Sequence, residues 1–165
     1  MTKKTLTLAM IIVFAHIAFV APFVSSKNIL PAGFGALSMA SMALVLVLAA
    51  RWRIVDRILG GPDKSYGSHR WLGLFAIGGG LAHWALASPV GLGILPALAG
   101  LIAMLGLIVL TLAAMVRVIP YDIWKASHML MGPLFLLAAF HTFFVASPLA
   151  VGAAPWTLMA GVSIV

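Results

Sequence analysis

Apolar residues come in long runs divided by short polar or Gly/Pro breaks. Each run approaches the roughly 20 residues that a helix needs to cross a bilayer. The first, residues 6–24, follows Lys3 and Lys4. It is long for the apolar core of a signal peptide and lacks a small-x-small cleavage site, so it reads as a first span. A polar turn at Ser25–Pro31 leads to span two at 33–50, whose Gly, Ala and Ser suit close helix packing. The one substantially hydrophilic stretch, Arg51–Arg70, precedes span three at 68–87. Ser88–Leu95 is a Gly/Pro turn, span four covers 96–116, and Ile119–Lys125 is an amphipathic link into span five at 126–146. After a Gly/Pro turn at Ser147–Ala154, residues 155–165 open a sixth span too short to cross, which is therefore expected to be incomplete. No internal repeat is obvious, although spans three and five share a basic approach and two histidines each.

Composition agrees with this reading. Hydrophobic residues make up 64% and charged residues 8%, and the mean hydropathy is +1.18, far from soluble domains. A net charge of +7 invites a nucleic-acid reading, but the basic residues lie between apolar spans. Nine of the ten Lys and Arg fall on one side of the expected topology, with Lys27 alone on the other. The positive-inside rule then puts the N-terminus and the basic loop in the cytoplasm. Spans three and five both run outward from there.

With no cysteine, disulfides, iron–sulfur clusters and thiolate-bound metals are excluded. Asp56, Asp63 and Asp122 are the only acids, and all lie in loops or at helix ends, too few for a carboxylate-rich di-iron site. Histidine is the remaining metal ligand. His69 and His83 lie in span three, fourteen residues apart; His128 and His141 lie in span five, thirteen apart. At about 1.5 Å per residue, each pair is separated by roughly 20 Å along its helix. Because the two spans run the same way, His69 matches His128 near the inner face and His83 matches His141 near the outer face. Intramembrane histidines need partners and commonly mark function. The natural occupants are two stacked b-type haems, each held between the same two helices by a pair of imidazoles.

Geometry supports one pair better than the other. Fourteen residues return to within about 40° of the same helix face, whereas thirteen miss by roughly 140°. Gly132 and Pro133 lie between His128 and His141, where a kink with local tightening would swing His141 back. One buried histidine is as readily a structural hydrogen-bonding group as a ligand; four at matched depths are better explained as ligands. His16 has no matched partner and reads as structural, or as a polar contact near a haem edge. Gly73, Gly78, Gly79 and Gly80 either admit a flat macrocycle between His69 and His83 or simply let helices pack. Arg70 and Arg117 are candidate partners for haem propionates or topology anchors.

The stretch His69-Arg70-Trp71-Leu72-Gly73 with His83, then Pro120-Tyr121-Asp122-Ile123-Trp124-Lys125-Ala126-Ser127-His128 with His141, resembles the ferric reductase-like transmembrane domain. Ferric reductases and NADPH oxidases share that domain. The resemblance implies an all-α integral membrane protein, a six-helix transmembrane bundle binding two stacked b haems, with His69, His83, His128 and His141 as axial ligands. It also implies a cytoplasmic dehydrogenase carrying FAD and NAD(P)H. No dinucleotide fingerprint exists in these residues, since Gly78-Gly79-Gly80 lies inside a span rather than after a strand. Those cofactors are therefore expected on a further domain or a separate flavoprotein.

The functional expectation is a membrane haem oxidoreductase module in a bacterial inner (plasma) membrane. It would move electrons from a cytoplasmic flavin donor to an external acceptor such as oxygen or ferric iron. One rival resembles the stand-alone haem subunit that feeds a periplasmic methionine sulfoxide reductase. Another is a haem-free proton or metal transporter, against which stands the expected lack of broken helices and of acidic membrane residues.

Overall fold

The computed structural model describes residues 3–20, 26–87, 94–116 and 118–144. Regular structure among them is helical throughout. The order is α1 (Lys3–Val20), a 3₁₀ turn at Ser26–Asn28, α2 (Ile29–Ala49), α3 (Arg53–Leu59), α4 (Pro62–Leu86), α5 (Ile94–Met115), α6 (Tyr121–His128) and α7 (Met131–Phe144). These helices form two compact units, α1–α4 and α5–α7. Among the described residues, helices overlap the stretches expected as spans one to five, and residues 155–165 lie outside the described residues.

Three segments are long and apolar enough to cross a membrane: Ser26–Ala49, Ile94–Met115 and Tyr121–Thr142. The apolar part of α1, Leu6–Ala18, is shorter. In α4, two histidines, Arg70 and a run of glycines dilute the apolar character. Leu101, Ile102, Leu105, Val109 and Leu112 of α5 are exposed, a surface suited to lipid rather than water.

Helix boundaries differ from the sequence expectation for local reasons. Both α2 and α5 begin two residues before a proline, Pro31 and Pro96, residues that the polar and Gly/Pro pattern puts in or beside turns. A proline at the third helical position costs no hydrogen bond, because the first N–H groups of a helix have no partner anyway. The basic loop contains a short helix not expected from its polarity. Helix α3 ends at Gly60 and Gly61, whose positive φ values of 89° and 122° side chains would resist. Gly61 N–H closes on Asp56 O at 2.8 Å, a Schellman-type stop, and Pro62 starts α4 at once.

The expected kink in span five is a break between α6 and α7, which corrects the expectation that broken helices are missing. Pro133 has no N–H to give Met129, and its ring crowds that carbonyl. The chain substitutes i→i−3 bonds, Leu130 N to Ser127 O at 3.0 Å and Gly132 N to Met129 O at 3.3 Å. Tightened turns of this kind advance by about 20° more per residue than an α-helix, in the sense needed to bring His141 back toward the face of His128.

In the first unit, Ala9, Val13 and His16 form the buried stripe of α1, at helical spacing. The principal pair is α2 with α4, which run antiparallel in a seven-residue register. Pro31, Ser38 and Val45 on α2 bond in turn to His83, Ala76 and His69 on α4. Seven-residue spacing on both partners is the signature of a left-handed helix pair. At its centre Ser38 Oγ donates to Ala76 O at 2.7 Å. In the second unit, α5 and α7 pack through Ala99, Ala103, Met104 and Leu107 on one side and Leu134, Phe135 and Ala139 on the other, all buried.

Candidate functional site

Three of the four candidate histidines share one arrangement. His69 Nδ1 lies 3.2 Å from Val45 O, His83 Nδ1 lies 2.8 Å from Pro31 O, and His141 Nδ1 lies 2.8 Å from Pro96 O. A carbonyl oxygen only accepts, so Nδ1 must donate in each case. In the neutral tautomer this fixes, Nε2 carries the lone pair that a metal takes. Ligating histidines are commonly oriented in this way, by donating the second ring N–H to a backbone carbonyl, which also raises their basicity.

The α2–α4 register explains the spacing of fourteen in structural terms. His69 and His83 are two seven-residue steps apart, and both meet the same neighbour, α2. Helix α2 therefore works as a rail that sets the rotation of two imidazoles about 20 Å apart. In the second unit, α5 plays that part for His141.

His128 is held differently. It closes α6, half-buried, and its ring stacks on Trp124 with centroids 5.3 Å apart and planes at 18°. Trp124 in turn meets Tyr121 at 5.7 Å. These three residues fall on one face of α6, the face that the sequence left as an amphipathic link. Trp124 is thus a support for a candidate ligand, a role that its place near a helix end did not reveal.

Arg70 is exposed, one residue beyond His69, and Arg117 lies outside the described residues. His16 is 5% exposed, and neither ring nitrogen bonds to any described residue. Of the glycines between His69 and His83, Gly79 serves helix packing: a side-chain carbon there would sit 3.0 Å from both Phe34 O and Ser38 N on α2. Nothing lies within 4 Å of such a carbon at Gly73 or Gly78. No group of three or more His, Cys, Asp or Glu gathers among the described residues.

The carbonyls of Pro31, Val45 and Pro96 were not anticipated. A backbone acceptor has no side-chain signature; for Pro31 and Val45 one clue was their fourteen-residue separation, equal to that between His69 and His83.

A family model described as a ferric reductase-like transmembrane component matches residues 34–139, more than half of the chain. The matched segment takes in His69, His83 and His128 and stops two residues short of His141. No individually curated protein matches the chain.

Proposed function

Because the chain belongs to the ferric reductase-like transmembrane component family, with helices long and apolar enough to make it an integral membrane protein, we propose that it carries electrons across the membrane through two b-type haems. His69 with His128 would hold the inner haem, and His83 with His141 the outer one. The supporting observation is the set of Nδ1-to-carbonyl bonds at His69, His83 and His141, which prepare Nε2 for iron. When bound, each haem supplies a one-electron carrier, and two imidazole ligands favour electron transfer over binding of small molecules.

The chain's own residues do the positioning and insulation. Helices α2 and α5 fix imidazole rotation through the carbonyls of Val45, Pro31 and Pro96. The apolar exteriors of α2, α5 and α7 keep water and charge away from the path. The basic residues Arg51, Arg53, Arg57, Lys64 and Arg70, all exposed, hold one end on the cytoplasmic side. That end is where a flavoprotein donor would dock, with oxygen or a ferric chelate as acceptor at the other.

Proteoliposomes test this directly. With dithionite outside and ferricyanide trapped inside, haem-loaded protein should bleach the ferricyanide well above the rate of protein-free vesicles. The His83→Ala variant should fall to that background. Equal rates with and without the wild-type protein would sink the proposal.

A further inference from the structure

The seven residues Ile29-Leu30-Pro31-Ala32-Gly33-Phe34-Gly35 at the start of α2 are matched by Ile94-Leu95-Pro96-Ala97-Leu98-Ala99-Gly100 at the start of α5. The shared pattern is I-L-P-A-x-x-G, an internal repeat that the reading of spans did not register. In each copy proline is the third residue of its helix, and glycine follows four residues later. Each copy receives a histidine from the partner helix of its own unit. His83 Nδ1 bonds to Pro31 O, and His141 Nδ1 to Pro96 O, both at 2.8 Å.

Glycine four residues on is required by the same geometry. Positions i and i+4 lie one above the other on a helix face, so a ring reaching the carbonyl of residue i must pass over residue i+4. A side-chain carbon at Gly35 would stand 3.1 Å from His83 Nδ1, and one at Gly100 would stand 2.5 Å from His141 Nδ1. Proline contributes stiffness, since its ring fixes φ near −65° in the turn that carries the acceptor. The Pro carbonyl already serves the helix through one lone pair, and the histidine takes the second.

We propose that Pro31 with Gly35 and Pro96 with Gly100 are a duplicated histidine cradle, the positioning residues of the outer ligand pair His83 and His141. The cradle holds both rings in one tautomer and at one rotation. This rests on the haem reading above. Its consequence is chemical as well as steric. Donation from Nδ1 pushes electron density onto Nε2, strengthens the bond to iron and favours the ferric state. The outer haem's affinity and potential therefore depend on two carbonyls that touch no metal.

The test uses the full-length chain with haem. In His83→Gly and in His141→Gly, the missing ligand is replaced by imidazole or by 1-methylimidazole, and return of the low-spin spectrum is titrated. Both azoles ligate iron, but only imidazole has an N–H for the waiting carbonyl. Imidazole is expected to bind about 10-fold tighter or more, within the range typical of outer-shell partners. It should also give the lower outer-haem potential.

In parallel, Gly100→Ala should weaken outer-haem retention strongly and Gly35→Ala more mildly. Gly33→Ala, with nothing within 4 Å of the added carbon, should match wild type. The azole titration leaves Gly35 and Gly100 unchanged, so it reads out even if Gly100→Ala fails to fold. Azole affinities within twofold of each other at both sites, or a folded Gly100→Ala indistinguishable from wild type, would overturn the cradle while leaving the haems in place. A wild-type protein without bis-imidazole haem would remove the electron-transfer reading, and the cradle's purpose with it.

Discussion

Replacing His69 by alanine should remove one of two low-spin haems, and replacing His128 in the same molecule should remove no more. Two imidazoles on one iron act as a unit, so losing the second costs little once the first is gone. The same holds for His83 with His141. Crossing the pairs gives the opposite result: His69→Ala/His83→Ala should retain almost no low-spin haem. Outer-shell partners of a metal ligand are already worth about 10- to 100-fold in affinity, so loss of the ligand itself is expected to exceed that. Low-spin haem per chain, from electron paramagnetic resonance on purified protein with pyridine haemochrome and protein assay giving total haem, reads the pattern. Retention of one haem in His69→Ala/His83→Ala, together with none in His69→Ala/His128→Ala, would show that the pairs are assigned wrongly.

The second large effect is on folding, at Gly79. An added Cβ there meets two backbone atoms of α2 at 3.0 Å, and backbone cannot rotate away as a side chain can. Gly79→Ala is expected to cost about 1–3 kcal/mol through overpacking, and Gly79→Leu to abolish the folded α2–α4 pair. Gly78→Ala, one residue along with nothing within 4 Å, should be neutral or stabilising by about 1 kcal/mol, the usual helix-propensity gain. Gly106→Ala is an instructive intermediate. Its Cβ would stand 2.6 Å from Leu134 Cδ2, the flexible end of a side chain, so a rotamer change can relieve most of the clash. Thermal unfolding in detergent, compared across the three glycines, checks the order. An unchanged midpoint for Gly79→Ala would contradict the packing described for α2 and α4.

The sequence disclosed more of the solvent and of the ligand candidates than of the supports. Run length and hydropathy pointed to membrane helices because a bilayer demands about 20 apolar residues, and three segments meet that demand. Helix starts were missed by a few residues at Pro31 and Pro96, since proline was read as a boundary when it sat harmlessly inside the first turn. Helix α3 was hidden because Arg53 and Arg57 gave it the polarity of a loop, while Ile54 and Ile58 lie exposed on it. The break before α7 lies just ahead of Gly132 and Pro133, the residues from which a kink was expected. Proline disturbs the carbonyl four residues behind it, not its own position.

Among the histidines, identity was legible and orientation was not. A spacing of fourteen announces a shared face, yet only the α2 register shows what that face meets. The I-L-P-A-x-x-G repeat stood in plain view as letters. Its meaning required knowing that His83 and His141 arrive at those two helices.

The central claim reduces to one quantity, the number of bis-imidazole haems per wild-type chain. Purified protein supplied with haem, assayed by pyridine haemochrome and by low-temperature electron paramagnetic resonance, should give two haems per chain with low-spin ferric signals. A protein that takes up no haem, or holds it only in a high-spin, single-ligand form, would contradict the account.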